Sequence, residues 1–268
     1  FATAGDTWVV MVAAHHIAVD AWSLHVLRRE IAAELAAPGQ AEGATPALQY
    51  ADYAAWQRSA VDTTAGLDWW ERTLQGAPQL SAFPADLPLS DAPPKGASVD
   101  FELDAELLSG LRELARRENA TVYMALLAAT AALLRAHTSQ GDLLLGSPMG
   151  VRERAEFENL IGPFVNLQVV RLQVGDDPGF AELVRRARNA LLDAHEHREV
   201  SFESVLERLR PARSFQHSPL FQVAVVQHNV NTGNPGAASE SGLAITGGGA
   251  LHELTWFARE EGGRLVCS

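Results

Sequence analysis

A proline-dense segment near the middle of the chain most constrains how this sequence can fold. Residues 76–96 contain five prolines, at positions 78, 84, 88, 93 and 94. Proline has no backbone N–H and breaks a helix, and within a sheet it is confined to edges and bulges. The segment therefore predicts an extended linker that separates residues 1–75 from residues 97–268.

Short apolar runs and helical patterns occur on both sides of this linker. Runs of apolar and β-branched residues predict strands at 7–13, 98–103, 143–145, 165–174, 220–227, 251–257 and 264–267. Apolar residues at helical spacing predict helices after Asp20 or Ser23, from residue 46, and at 67–74, 107–114, 121–136, 180–195 and after Ser201. The order lacks a strict β-α-β rhythm, so we predict an α/β fold of the α+β kind with mixed sheets.

Charge and cysteine content narrow the functional classes. Lys and Arg number 21 against 33 Asp and Glu, a net charge of −12 that argues against binding nucleic acid or an anionic membrane. No apolar run approaches the roughly eighteen residues that span a bilayer. The single cysteine, Cys267, excludes a disulfide within the chain and favours a reducing, cytoplasmic compartment. The sequence has no Gly-rich phosphate loop and no tight metal-ligand cluster, so no metal site is predicted.

Two adjacent histidines and an aspartate are the strongest candidates for chemistry. His15 and His16 lie where the predicted strand gives way to a helix, and Asp20 follows His16 by four positions. Imidazole titrates near neutrality, so it can accept a proton or hold a nucleophile. Asp20 can orient the imidazole or lock the loop by pairing with an arginine. Because HxxxD is short and common, its spacing alone does not separate catalysis from a surface or zinc-binding pair.

Six segments, in order, resemble the motifs of the condensation domains of nonribosomal peptide synthetases. Residues 14–23, AHHIAVDAWS, resemble HHxxxDGxS, and residues 48–57, LQYADYAAWQ, resemble YxDYAxWQ. The others resemble PxDxP…GA, IGxFVN, HxxxPFE and NPLFQV, at residues 84–98, 161–166, 197–203 and 218–223. We identify the chain as a member of this family from these six segments together.

The resemblance implies a two-lobed fold in which each lobe is built like chloramphenicol acetyltransferase, with the active site in a tunnel between the lobes. Residues 1–75 then form the end of the N-terminal lobe, 76–96 the inter-lobe linker and 97–268 the C-terminal lobe. The rest of the first lobe is expected upstream of Phe1.

The resemblance also implies residue roles. It implies a catalytic group of His16, His15 and Asp20, in which His16 positions or deprotonates the attacking amine. Asp20 is implied to be salt-bridged to an arginine, for which Arg152 and Arg171 are candidates by charge only. The expected substrate-binding residues are Asn166, Ala21 and Ser23. Ala21 stands where the family has glycine, so its methyl group is expected to weaken activity if that position needs a positive φ or close substrate approach.

The implied reaction joins two carrier-bound substrates. The amine of an acceptor aminoacyl thioester attacks a donor acyl or peptidyl thioester, and both substrates arrive on phosphopantetheine arms of carrier proteins. The expected partners are an upstream donor carrier, a downstream acceptor carrier and an adjacent adenylation domain, with no nucleic acid, membrane or intrinsically bound cofactor.

Two other functions are compatible with part of these features. A noncatalytic module of the same fold, which recruits other enzymes to a carrier protein, typically has a decayed histidine motif, whereas His15, His16 and Asp20 are intact here. A free-standing acyltransferase that uses coenzyme A shares only HxxxD with this chain, so it is disfavoured by the other five segments.

Overall fold

The computed structural model describes residues 10–38, 47–86, 96–212, 214, 217–228 and 252–268. Within these residues the chain forms seven α-helices, six β-strands and one 3-10 helix at Ala155–Phe157. The helices are α1 (Ala21–Ala36), α2 (Tyr50–Ala60), α3 (Thr64–Leu74), α4 (Ala105–Arg117), α5 (Val122–Thr138), α6 (Phe180–Glu196) and α7 (Phe202–Leu209). The strands are β1 (Phe101–Leu103), β2 (Asp142–Gly150), β3 (Val165–Gln173), β4 (Val223–His228), β5 (Leu254–Glu261) and β6 (Arg264–Cys267).

The chain divides into two compact units. The first contains residues 1–62 and 150–165, and the second contains residues 63–149 and 166–268. Residues 76–86 form neither helix nor strand, and residues 87–95 lie outside the described part of the chain. The division into lobes at 76–96 stays a prediction.

The first unit is built around an aromatic cluster. Tyr53 is buried and lies against Phe157 and Phe164, with ring centroids 5.1 and 4.6 Å away. Tyr50 meets Phe164 edge to face at 5.1 Å, a favoured geometry for aromatic pairs. The cluster joins α2 to the segment at 150–165, so two parts of the sequence about 100 positions apart share one core.

The expected strand at 7–13 is only partly within the described residues, and there the prediction is wrong. Residues 7–9 lie outside them, and residues 10–13 form no strand. Val10, Met11 and Val12 are 63%, 60% and 47% exposed. A β-strand exists through hydrogen bonds to a neighbour, and no described strand pairs with these residues. The composition of residues 10–13 favours a strand, but without a partner strand in the described part of the chain they do not form one.

One mixed sheet organises the second unit. Its strands lie in the order β1-β6-β5-β4-β2-β3. β1 and β5 are antiparallel to β6, whereas β4 is parallel to both β5 and β2. The mixed α/β prediction is confirmed, and predicted strands overlap β1, β2, β3, β4 and β6 of this sheet, although β2 is longer than the predicted 143–145 and β1 shorter than the predicted 98–103. The predicted strand at 251–257 begins later, at Leu254, and Leu251 lies outside the described residues.

Helices cover both faces of this sheet. Leu143 and Leu145 of β2 pack with α5 and α6, whereas Leu144 packs with Trp70 of α3 and Val205 of α7. This alternation follows from the two-residue repeat of a strand, whose side chains point to opposite faces in turn. The predicted burial of the helix at 121–136 is confirmed, since five side chains of α5 are fully buried: Ala125, Leu127, Ala128, Ala131 and Leu134.

Ser81 connects β2 to the residue that precedes β4. The two strands pair at Gly146 and Ala224. Nearby, the Ser81 hydroxyl accepts a hydrogen bond from the Leu144 N–H at 3.0 Å, and the Ser81 N–H donates to the Gln222 side-chain oxygen. All three residues are fully buried. Part of the proline-rich segment is thus held inside the second unit.

The described ranges contain neither a membrane-spanning helix nor a metal-ligand cluster. There, no single helix has both the length and the apolar composition to span a bilayer; α4 and α5 meet that test only as a pair bent by 102°. No group of three or more His, Cys, Asp or Glu residues in the same ranges is arranged to hold a metal ion.

Candidate active site

The two histidines lie in a tight turn just before α1. The Ala18 N–H donates to the His15 carbonyl oxygen at 2.9 Å, which closes a turn over residues 15–18. The Ile17 N–H donates to Nδ1 of His15 at 3.0 Å. Both histidine side chains are exposed, and no hydrogen bond to the His16 ring is found among the described residues. Within the described part of the chain, the His16 ring is therefore exposed and its nitrogens carry no hydrogen bond.

Asp20 ends this segment and begins the helix. It is the N-cap of α1, where its Oδ1 accepts hydrogen bonds from the Ser23 N–H at 2.7 Å and the Ser23 hydroxyl at 2.6 Å. An N-cap carboxylate satisfies backbone donors that have no partner in the first turn of a helix. Asp20, one of the two capping residues that the sequence left open, is confirmed as the cap.

Arg152 is the arginine that pairs with Asp20. Its Nη2 lies 3.0 Å from Asp20 Oδ1, and the side chains are 10% and 2% exposed. The other Asp20 oxygen, Oδ2, accepts from the Phe164 N–H at 3.0 Å. Arg171, the other candidate, instead forms an ion pair with Asp142 at 2.6 Å. The structure thus decides between two arginines that charge alone could not separate.

Arg152 also fixes the backbone of the segment at 157–164. Its Nη1 donates to the carbonyl oxygens of Phe157 at 2.7 Å and Leu160 at 2.8 Å. Its guanidinium carbon lies 4.0 Å from the centroid of the Phe164 ring, within cation–π range. One side chain thus links the helix start at Asp20 to the aromatic core of the first unit.

Ser23 is fully buried within this network. Its hydroxyl lies 2.6 Å from Asp20 Oδ1 and 2.8 Å from the Gly162 carbonyl, and it donates its one proton to either oxygen. It also accepts from the Gly162 N–H at 3.0 Å and from Arg152 Nη2 at 2.9 Å. These contacts occupy the whole hydroxyl, which leaves it no capacity for a substrate in this conformation.

The electrostatic state of Asp20 follows from these contacts. Burial of the carboxylate raises its pKa, whereas the hydrogen bonds from Ser23 and the charge of Arg152 lower it. The lowering effects together are larger, so the pKa of Asp20 lies below the ordinary aspartate value. Asp20 is therefore a fixed negative charge near neutral pH, paired with Arg152 rather than poised to exchange a proton.

The remaining predicted site residues fall in different places. Ala21 is the first residue of α1, is exposed, and is not among the described residues with positive φ. Its methyl group therefore causes no backbone strain. Asn166 belongs to the second unit, where its Nδ2 donates to the carbonyls of Arg198 at 2.9 Å and Val200 at 2.6 Å. Its Oδ1 accepts from the Phe202 N–H at 3.1 Å.

Sequence reasoning missed how Gly162 contributes to the site. A Cβ at this position would overlap the Tyr50 ring, so only glycine lets the backbone approach both Tyr50 and Ser23. The signal was present in the segment IGPFVN, where a glycine precedes a proline. Its two contacts come from residues that lie 112 and 139 positions earlier, and no local pattern reveals such neighbours.

The fold and this turn define a protein of the HHxxxD class, and comparisons with known proteins agree. A family model described as "Condensation domain" matches residues 1–265. A linear gramicidin synthase from Brevibacillus parabrevis is 38% identical over 84% of this chain, which spans 5% of that protein. Phosphinothricin tripeptide synthetase PhsB of Streptomyces viridochromogenes is 38% identical over 90% of the chain, which spans 21% of that protein.

Among solved structures, the X-domain from teicoplanin biosynthesis is similar to this chain, with a TM-score of 0.81 and 26% identity. The match covers 94% of this chain and 61% of that one. A structure of the X-domain in complex with OxyB from the same biosynthesis is also similar to this chain, with a TM-score of 0.76. The chain belongs to the condensation-domain family of nonribosomal peptide synthetases, and it has the fold of that family.

Proposed function

We propose that this condensation domain forms an amide bond between two thioester-bound substrates. The amine nitrogen of an acceptor aminoacyl thioester attacks the carbonyl carbon of a donor acyl or peptidyl thioester. A C–N bond forms as the C–S bond breaks, the nitrogen loses one proton, and the departing sulfur leaves as a thiol after gaining one. The observation that carries the proposal is the exposed His16 ring in a turn anchored by the buried Asp20–Arg152 pair.

His16 contributes mainly by orientation and charge stabilisation. An α-amine has a pKa near 7.7–8.0, so an appreciable fraction is already neutral at cellular pH. A neutral amine attacks a thioester readily once it is held in line with the carbonyl carbon. Imidazole then stabilises the positive charge that develops on nitrogen and accepts the proton as the tetrahedral intermediate collapses.

Asp20 is assigned a positioning role in this proposal. It is buried, ion-paired and hydrogen-bonded to two backbone N–H groups, so it does not exchange a proton with substrate. Asn166 is assigned the same kind of role in the second unit, because its three hydrogen bonds described above all go to backbone groups. Ala21 is the predicted substrate-binding residue that presents an exposed side chain in the turn region.

The partners follow from the reaction. We propose that both substrates arrive on phosphopantetheine arms of a donor and an acceptor carrier protein, with an adenylation domain adjacent in the same polypeptide. The domain itself holds no resident cofactor in this scheme, and the reaction takes place in the cytoplasm. The curated relatives support a place within a larger synthetase, because the matching segment spans only a few per cent of their length.

The test compares His16→Ala with His25→Ala in the complete synthetase. His25 is another histidine of the same unit, on α1, and its ring centroid lies 5.7 Å from that of Trp22. Product on the acceptor carrier is followed by intact-protein mass spectrometry after loading of both carriers has been verified. Loss of a positioned acid–base group costs on the order of a hundred- to ten-thousand-fold, so His16→Ala is expected to be slowed by that amount and His25→Ala to be unaffected.

A noncatalytic docking module is the second candidate. It is supported by the structural similarity to the X-domain, including its complex with OxyB. If wild-type protein transfers nothing between correctly loaded carriers, this candidate replaces the first. Transfer by His16→Ala at the wild-type rate would remove His16 from the mechanism while leaving the reaction itself in place.

A further inference from the structure

The turn that carries His16 is closed by two hydrogen bonds, and one of them uses the side chain of His15. His15 occupies the first position of the turn and His16 the second, because the Ala18 N–H reaches back to the His15 carbonyl at 2.9 Å. Within this loop the Ile17 N–H points to Nδ1 of His15 at 3.0 Å. A side chain that accepts from the N–H two residues later is the usual device of Asn and Asp at the first position of a turn.

The His15 side chain therefore has a structural role in the turn that requires no contact with substrate. Nδ1 is separated from the backbone by the same number of bonds as Oδ1 of asparagine, so the imidazole replaces an Asx side chain in this turn. Since Nδ1 accepts a hydrogen bond, the neutral ring carries its proton on Nε2. The neighbouring His16 side chain projects from the turn position that this bond helps to fix.

We propose that His15 is a positioning residue whose Nδ1 holds the turn that presents His16 to the acceptor amine. The inference rests on the proposed amide-forming function and reassigns His15 from the catalytic group to the support of His16. The effect acts through backbone geometry, so it changes kcat and leaves substrate affinity unchanged. Because the bond is exposed to solvent, the expected effect is modest compared with the loss of His16 itself.

The chemistry of the side chains provides a discriminating experiment. In His15→Asn the amide oxygen replaces Nδ1 as acceptor, whereas in His15→Gln the polar end group falls near the position of Nε2. His15→Ala removes both. Each variant is made in the complete synthetase, and kcat and KM for amide formation are measured between loaded carriers. We expect His15→Asn to stay within about twofold of wild type, and kcat of the Gln and Ala variants to fall about two- to tenfold.

Hydrogen exchange provides a second measurement that does not depend on enzymatic activity. Hydrogen exchange of the Ile17 amide, followed in a peptide that covers residues 13–20, is expected to be faster in the Gln and Ala variants and unchanged in the Asn variant. Thermal unfolding is expected to be the same for all three, because the His15 side chain is exposed.

The outcomes separate this inference from the function on which it rests. Equal activity of the Asn and Ala variants overturns the positioning role, and so does an active Gln variant beside an inactive Asn variant, which would assign His15 a direct contact through Nε2. A wild-type protein that forms no amide, or a His16→Ala variant that retains full activity, overturns the proposed function instead. The exchange rates of Ile17 still report on the turn in that case.

Discussion

Arg152 Nη2 lies 3.0 Å from Asp20 Oδ1, and the two residues are separated by 132 positions in the sequence. The pair joins the start of α1 to the segment that follows β2, in a site where both side chains are almost completely buried. Breaking such a pair by removing one partner leaves an uncompensated buried charge, which costs much more than the pair contributes net.

Asp20→Ala is accordingly expected to lower the free energy of unfolding by about 3–5 kcal/mol. The variant loses an N-cap and leaves Arg152 without its counter-ion. Chemical denaturation of the purified protein, followed by circular dichroism, measures the change.

Asp104→Ala is the matched control for this substitution. Asp104 is the N-cap of α4 and accepts from the Leu107 N–H at 2.8 Å, but its side chain is exposed. Loss of a cap alone costs about 1 kcal/mol. Equal losses for the two variants would contradict the assigned role of the Arg152 pair.

The pH dependence of stability is expected to contain a contribution from Asp20. Its folded-state pKa is below the ordinary value of 3.8, so the stabilisation from the ionised carboxylate is present above about pH 4. It is lost as pH falls through the folded-state pKa. The measurement is the free energy of unfolding of wild type and Asp20→Asn between pH 7 and pH 3, and we expect the difference to narrow below about pH 4. A difference that stays constant over this range argues against the lowered pKa.

Gly162→Ala is expected to destabilise the first unit by about 1–3 kcal/mol, because the new methyl group overlaps the Tyr50 ring. A shift of the backbone here also disturbs the hydrogen bond from the Gly162 N–H to the Ser23 hydroxyl. Gly150→Ala serves as control, since no atom lies within 4 Å of the corresponding position and its φ is not positive. A melting temperature of Gly162→Ala equal to that of Gly150→Ala would show that the ring moves aside without cost.

Asn166→Ala tests whether this residue is structural or contacts substrate. The substitution removes the three hydrogen bonds that Asn166 makes to the backbone of Arg198, Val200 and Phe202, so we expect a loss of about 1–3 kcal/mol in stability. Asn189→Ala on α6, where the side chain is exposed, is expected to change stability by less than about 0.5 kcal/mol. An Asn166→Ala protein of normal stability with a raised KM would assign the residue to substrate binding.

Local features of the fold were largely predictable from the sequence. Asp20 and Ser201 were expected at helix starts, and both cap helices in the structure through their side chains. The apolar run at 121–136 predicted the buried α5, because nearly continuous apolar or small residues leave no polar face for solvent. These features depend on neighbours within one or two turns of helix, which the sequence displays directly.

Features that depend on distant neighbours were not predictable in the same way. Charge alone did not show whether Arg152 or Arg171 pairs with Asp20. The packing of the 150–165 segment against α1 places Arg152 at Asp20, whereas Arg171 pairs with Asp142. Ser23 was expected to bind substrate, yet it is fully buried and bonded to Asp20 and Gly162. Of the strand expected at 7–13, the described residues 10–13 form no strand for a related reason, since composition indicates a preference but does not supply a partner strand.

The bridge made by Ser81 has a consequence for how the second unit acquires its structure. Its bonds to Leu144 and Gln222 span 63 and 141 residues, so both close very long loops. The entropy of closing such loops must be overcome before the contacts stabilise anything, and domains rich in long-range contacts fold slowly for this reason. The helices α4 and α5, by contrast, are adjacent in the sequence and pack together, so their contacts close only a short loop. We therefore expect the contacts around Ser81, where β2 and β4 meet, to form later in folding than the packing of these two helices.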